Sequence, residues 1–219
     1  FFNGITTKAY KERLHPDWTQ EQLDALTVRT EEVTSYFFGF ELSSSVLYSY
    51  VLAASFLMVS ILSPILSGIA DYSGKKKFFM QMFCYIGAAS CCGLFFFDAN
   101  SMELSMTPFF LASIGFWSSF VFYNSFLPEI AERKDHDRIS ARGYSMGYIG
   151  SMVLLIICLI WIQVFKGDPR YCFVLVGLWW VGFSQITYRV LPKNVYNKKV
   201  EKGIVWKGLA ELKLVFQQF

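Results

Sequence analysis

Five stretches of this chain contain no Asp, Glu, Lys, Arg or His, and each is eighteen residues or longer. They run from Leu42 to Ala70, Phe78 to Phe97, Leu104 to Pro128, Gly143 to Phe165 and Tyr171 to Tyr188. A hydrocarbon layer about 30 Å thick takes roughly 20 apolar residues in helix. A helix suits that layer because it satisfies its own backbone polar groups. Buried helices of water-soluble proteins do not repeat such a run five times in 219 residues. The pattern predicts an all-α, polytopic membrane helix bundle with its five transmembrane helices inside residues 42–192.

Composition narrows what such a bundle can do. The chain is 54% hydrophobic and 19% aromatic but only 17% charged, against about 25% charged in soluble domains. A disordered chain needs the reverse balance. A net charge of +3, with no basic patch interleaved with aromatics, argues against a nucleic-acid partner. The partners expected are the lipid bilayer and a small-molecule solute.

The cations give an orientation. Lys75, Lys76 and Lys77 follow the first run, and Arg133, Lys134, Arg138 and Arg142 follow the third. Seven more, from Arg189 to Lys213, follow the fifth, so fourteen of the 20 Lys and Arg lie on one side. Short loops rich in Lys and Arg stay in the cytoplasm, so this side is expected to be cytoplasmic and the residues before Leu42 external. An external start implies an earlier crossing. Residues 1–7 (FFNGITT) are therefore expected to be the end of a first transmembrane helix, and the chain a piece of a longer protein. The setting expected is a multi-pass integral membrane one, a bacterial inner membrane in preference to a vacuolar one.

Residues 8–41 are expected to form an extracytoplasmic loop with a short helix. Thr19-x-x-Gln22 fits a capping box, and Trp18, Leu23, Leu26 and Val28 could line one face. Residues 193–219 are expected to form a cytoplasmic amphipathic connector. Val205, Leu209, Leu212, Phe216 and Phe219 recur there at helical spacing.

Little in the chain suggests catalysis. His15 and His136 sit in charged loops without a second ligand at metal spacing. The five cysteines lie in or beside the spans, where a thiol behaves as a small apolar group. No phosphate loop, nucleophile elbow or zinc-protease motif occurs. No enzyme activity, cofactor or metal is expected. What the spans do offer is uncharged polar groups, which either hydrogen-bond between helices or line a path. Tyr48, Tyr123, Asn124 and Tyr148 are the candidates for cavity lining, with Asn124 foremost because a bare amide in lipid is costly. Gly143, Gly147 and Gly150 form a small-residue stripe suited to close helix packing.

The loop Ser67-Gly68-Ile69-Ala70-Asp71-Tyr72-Ser73-Gly74-Lys75-Lys76-Lys77 resembles the Gly-x-Leu-Ala-Asp-Arg-x-Gly-Arg-Lys signature of the major facilitator superfamily. Ser67 and Tyr72 depart from it. A second stretch runs from Phe122-Tyr123-Asn124-Ser125-Phe126-Leu127-Pro128-Glu129 through Asp137-Arg138-Ile139-Ser140-Ala141-Arg142-Gly143-Tyr144 to Gly147-Tyr148-Ile149-Gly150. It resembles the vacuole-effluxer-like branch of that superfamily, the autophagy-related amino-acid effluxers and their bacterial relatives. The Gly- and Pro-rich antiporter signature of the fifth helix is absent. The resemblance implies the amino-terminal six-helix half of a secondary transporter, with its first helix largely missing and its carboxy-terminal six-helix half as partner. It also implies alternating access and small solutes, amino acids among them. On the loop motif we expect a cytoplasmic latch in which Asp71 pairs with Arg138 or Arg142. The competing expectation is a membrane-embedded scaffold or interaction protein without transport, which predicts no polar cavity between the spans.

Overall fold

The structure, a computed structural model, describes residues 2–19, 22–23, 34–98 and 101–192. The connector at 193–219 lies outside the described residues, as do Leu26 and Val28 of the outer loop.

The chain opens with helix α1 (Phe2–Leu14), which continues seven residues past the expected end of a first span. A hairpin of two antiparallel strands follows, β1 (Thr34–Phe37) and β2 (Phe40–Ser43). Five helices long and apolar enough to cross a membrane come next. They are α2 (Ser44–Ser73), α3 (Lys76–Gly93), α4 (Met102–Ser125), α6 (His136–Gln163) and α7 (Arg170–Val190). A single turn, α5 (Leu127–Ile130), lies between α4 and α6.

Helix α3 is the centre of the bundle. It packs most extensively on α4 and next on α7, while α2 packs on α4. Glycines set these crossings. A methyl group at Gly115 of α4 would lie 2.5 Å from Gly87 Cα of α3, so the two backbones touch. At Gly87 it would lie 2.5 Å from the Trp180 ring, and at Gly177 of α7 it would collide with Cys92 Sγ of α3. Missing side chains let helices approach in lipid, where dispersion replaces the hydrophobic drive.

Two apolar clusters fill the ends of the bundle. Ala70, Met80, Phe83, Cys84, Phe122, Phe126, Tyr188 and Leu191 form one at the lysine-rich end. Phe122 is stacked between Phe79 and Phe83, at 5.8 and 6.1 Å between ring centroids. Leu47, Val51, Leu94, Phe97, Met102 and Met106 form the other, with Phe37 of the hairpin packed against it.

Helix α6 stands apart, with no buried residue along its 28. The expected packing stripe runs along it, yet among the described residues a Cβ at Gly147 or Gly150 would meet nothing within 4 Å, and one at Gly143 would meet only the Tyr123 hydroxyl, at 3.5 Å. The bundle's tight crossings use single glycines on each helix, Gly87 against Gly115 and Gly177 against Cys92, instead of this stripe.

Candidate functional site

The loop motif folds as a short turn between α2 and α3. Ser67 and Gly68 are half-buried on the last turns of α2. Gly74 closes the helix at φ 65, its N–H donating to Ala70 O. Left-handed backbone of this kind is the standard use of glycine after a helix. Lys75 donates its own N–H to the same carbonyl at 3.2 Å and leaves its side chain exposed.

The next two lysines tie α3 to its neighbours. Lys76 Nζ lies 3.0 Å from Glu129 Oε1 on α5. Lys77 Nζ donates to Leu191 O at 2.9 Å, just past the end of α7. The start of α3, the turn α5 and the end of α7 are thereby joined near the cluster around Phe122. Glu129 and Leu191 were not expected as partners. Glu129 was legible as an unpaired acid at the same membrane face, whereas a backbone carbonyl gives no sequence signal.

Two of the expected latch residues have described side chains: Arg138, in the first turn of α6, pairs with Asp135 at 3.1 Å, and Arg142 is exposed one turn further along. The side chain of Asp71 lies outside the described residues.

Polar side chains of α4 and α6 meet near this end. Tyr123 stacks on Phe120 at 6.5 Å, and Phe120 meets Tyr144 edge-on at 6.3 Å. The Tyr123 hydroxyl approaches Gly143 of α6, 3.5 Å from where a Cβ would stand. Asn124 is exposed beside it, and Tyr148 is exposed one turn beyond Tyr144. Tyr48 is elsewhere. Its ring lies 4.9 Å from that of Phe109, and fourteen residues of helix separate Phe109 from Tyr123, about 21 Å along the axis. The candidates thus divide into a group at the lysine-rich end and a lone tyrosine toward the other.

Two polar features were not foreseen. Gln185 of α7 and Tyr85 of α3 hydrogen-bond within the span, with Gln185 Nε2 donating to Tyr85 Oη at 3.0 Å. Ser118 of α4 is 2% exposed, and its hydroxyl has no hydrogen-bond partner among the described residues.

On the opposite side, Thr19 N–H donates to Gln22 Oε1 at 2.9 Å, the backward arm of the capping box. The Thr19 hydroxyl turns to the same oxygen at 3.2 Å. Lys11 of α1 donates to Leu23 O and Arg13 to Thr34 O, so cations of α1 hold both described edges of the outer segment. His15 is stacked on Trp18 at 3.9 Å. His136 starts α6, with Nε2 3.1 Å from Ala131 O. Among the described residues, no three His, Cys, Asp or Glu side chains are placed to hold a metal ion.

Five apolar helices around a glycine-pinned centre, with charge confined to their ends, define a multi-pass integral membrane protein. The family model described as vacuole effluxer Atg22 like matches residues 17–219, and the chain belongs to that family. It is 31% identical over 165 residues to an uncharacterized MFS-type transporter, YxiO, of Bacillus subtilis (strain 168), covering 71% of this chain and 39% of that protein. It is 22% identical over 204 residues to autophagy-related protein 22 of Coccidioides immitis (strain RS), covering 68% of this chain and 34% of that one. Autophagy-related protein 22-2 of Aspergillus clavatus is 23% identical, with 84% and 41% covered. The chain therefore spans about two fifths or less of these relatives. No solved structure matches it.

Proposed function

We propose that this chain is the amino-terminal part of a secondary transporter that moves a small solute by alternating access. The observation that carries the reading is α6. An apolar helix exposed along its whole length costs little in lipid, but this one also presents Gly143, Gly147 and Gly150 together with Tyr144 and Tyr148. The hydrocarbon layer gains nothing from glycines, nor from hydroxyls it cannot hydrogen-bond. A partner helix and a solute path would use both, the glycines for close approach and the phenols as hydrogen-bonding walls. Transporter halves of this kind enclose their substrate near the midplane. The rest of the same protein is the partner proposed.

Tyr123, Asn124 and Tyr148 line the solute path in this proposal. An α-amino acid suits it, since amide and phenol groups can bind a carboxylate and an ammonium without placing a fixed charge in the membrane. Asp71 with Arg142 or Arg138 forms the closing contact at the lysine-rich end. Higher identity to the Bacillus protein than to the fungal ones favours a bacterial inner membrane.

The test is transport by the complete protein in liposomes, with a panel of amino acids and a pH gradient of either sign. The proposal expects saturable uptake of at least one amino acid. It also expects Tyr123→Phe and Asn124→Ala to lower kcat/KM about tenfold each, the weight of one lost hydrogen bond of roughly 1.4 kcal/mol. No transport under either gradient overturns it.

A further inference from the structure

The hairpin before α2 ends in an uncovered hydrophobic tip. Phe38 and Phe40 are 72% and 71% exposed, and Leu104, beside the residue that holds the tip, is 76% exposed. This tip is not loose. Phe38 N–H donates to Glu103 Oε1 at 2.8 Å. Phe37 anchors its base in the cluster around Leu47 and Met102, and its ring meets that of Phe38 edge-on at 4.7 Å. On the far strand ends, the Thr34 hydroxyl donates to Glu41 Oε1 at 2.6 Å.

The turn is built against the preference of its residues. Phe37 pairs with Phe40 across a two-residue loop, so Phe38 and Gly39 are its centre, at φ 49 and 82. Such a turn favours Asn or Asp before Gly, and a bulky ring at positive φ is a genuine outlier. A hairpin standing in water would gain nothing from an exposed, strained phenylalanine there. The ring needs an environment that rewards it.

Chain continuity says which environment that is. β2 ends at Ser43 and α2 begins at Ser44 with no residue between. Glu103, which holds the tip, lies in the first turn of α4. Phe38 thus sits within one side chain's reach of the point where α4 begins, and its neighbour Phe37 packs against the cluster that holds Leu47 in the first turn of α2. The polar layer of a bilayer extends about 5–7 Å beyond the hydrocarbon on each side, and aromatic side chains concentrate there. Both nearby acids, Glu41 and Glu103, are already held by hydrogen bonds, which lowers the cost of placing them in that layer.

We propose that Phe38 and Phe40 seat the hairpin tip in the headgroup layer of the same bilayer that α2 and α4 cross, making the hairpin an interfacial anchor. The test uses the complete protein in phosphatidylcholine nanodiscs, free of native cysteines and carrying one nitroxide at Phe38→Cys or Phe40→Cys. Collision rates are measured with oxygen, which partitions into lipid, and with an aqueous nickel chelate. A label at Glu132→Cys, exposed at the lysine-rich end, is the aqueous control. Oxygen collisions several-fold above chelate collisions at positions 38 and 40, reversed at 132, support the anchor. Chelate access at 38 and 40 equal to that at 132 overturns it, as does dipolar broadening that vanishes on dilution with unlabelled protein, which would mark a second copy as occupant. F38W in the native-cysteine chain gives an independent reading. Its added emission should be quenched more by lipids brominated near the headgroup than by deeply brominated ones, and an unquenched increment also overturns the proposal.

Discussion

Gly115 sits where two helix backbones touch, and its hydrogen is all the space allows. A methyl there would meet Gly87 Cα and N and Phe83 O, all backbone atoms that no rotamer change can move. Gly115→Ala is expected to push α3 and α4 apart and destabilise the protein by about 2–3 kcal/mol, in the range of overpacked cores. The readout is thermal unfolding in detergent, and an unchanged midpoint would contradict the crossing. Ser118, one turn along the same helix, has the opposite sign. Its buried hydroxyl has no partner among the described residues, and an unsatisfied buried group costs about 1–3 kcal/mol. Ser118→Ala is expected to raise the unfolding midpoint, and a fall would mean that the hydroxyl has a partner. Neither residue stands out in the sequence. A glycine at a crossing is identified by the element opposite it, and one serine among many in a span looks like any other.

At the scale of elements, the spans were legible and their ends less so. Charge-free runs place α2, α3, α4 and α7 to within a few residues at their starts. α6 begins at His136, seven residues before its run at Gly143. The reason is that charge marks where lipid begins, whereas a helix continues into water as long as its backbone bonds continue. The hairpin was missed, and residues 8–41 read as loop and helix. Its signal was the Phe38-Gly39 pair between Thr34, Tyr36 and Phe37 on one side and Phe40 on the other, a β-rich run broken by a glycine turn. The link from α3 to α5 is also an element-scale feature. Lys76 and Glu129 are partly exposed at 3.0 Å, so a double-mutant cycle with Lys76→Ala and Glu129→Ala should give a coupling of about 0.2–1 kcal/mol. Zero coupling would reduce the pair to coincidence.

For the whole molecule, the open face of α6 divides two kinds of mutation. A Cβ at Gly147 would meet nothing among the described residues, so a larger residue there should leave the five-helix core intact. In the complete protein, the proposed partner would lie against it. Gly147→Leu is therefore expected to reduce transport at least tenfold while the unfolding of the α2–α3–α4–α7 core is unchanged. Full activity in that variant would show the glycine face to be lipid-facing. Of the candidate path, the sequence showed the residue types and their rough depth, with Tyr48 near the start of a run and Tyr123 near the end of another. What it did not show is their neighbours, such as the Phe109 ring beside Tyr48.

The junction at Ser43 and Ser44 has a mechanical consequence. A strand and a helix joined without a spacer share one rigid backbone, so α2 cannot spin about its axis unless the hairpin sweeps with it. The hairpin is tethered at Thr34 to α1 and at Phe38 to α4, which blocks that sweep. The junction therefore fixes the rotational setting of α2 at its outer end, where the strand enters the helix, while Ala70 in the buried cluster holds the inner end.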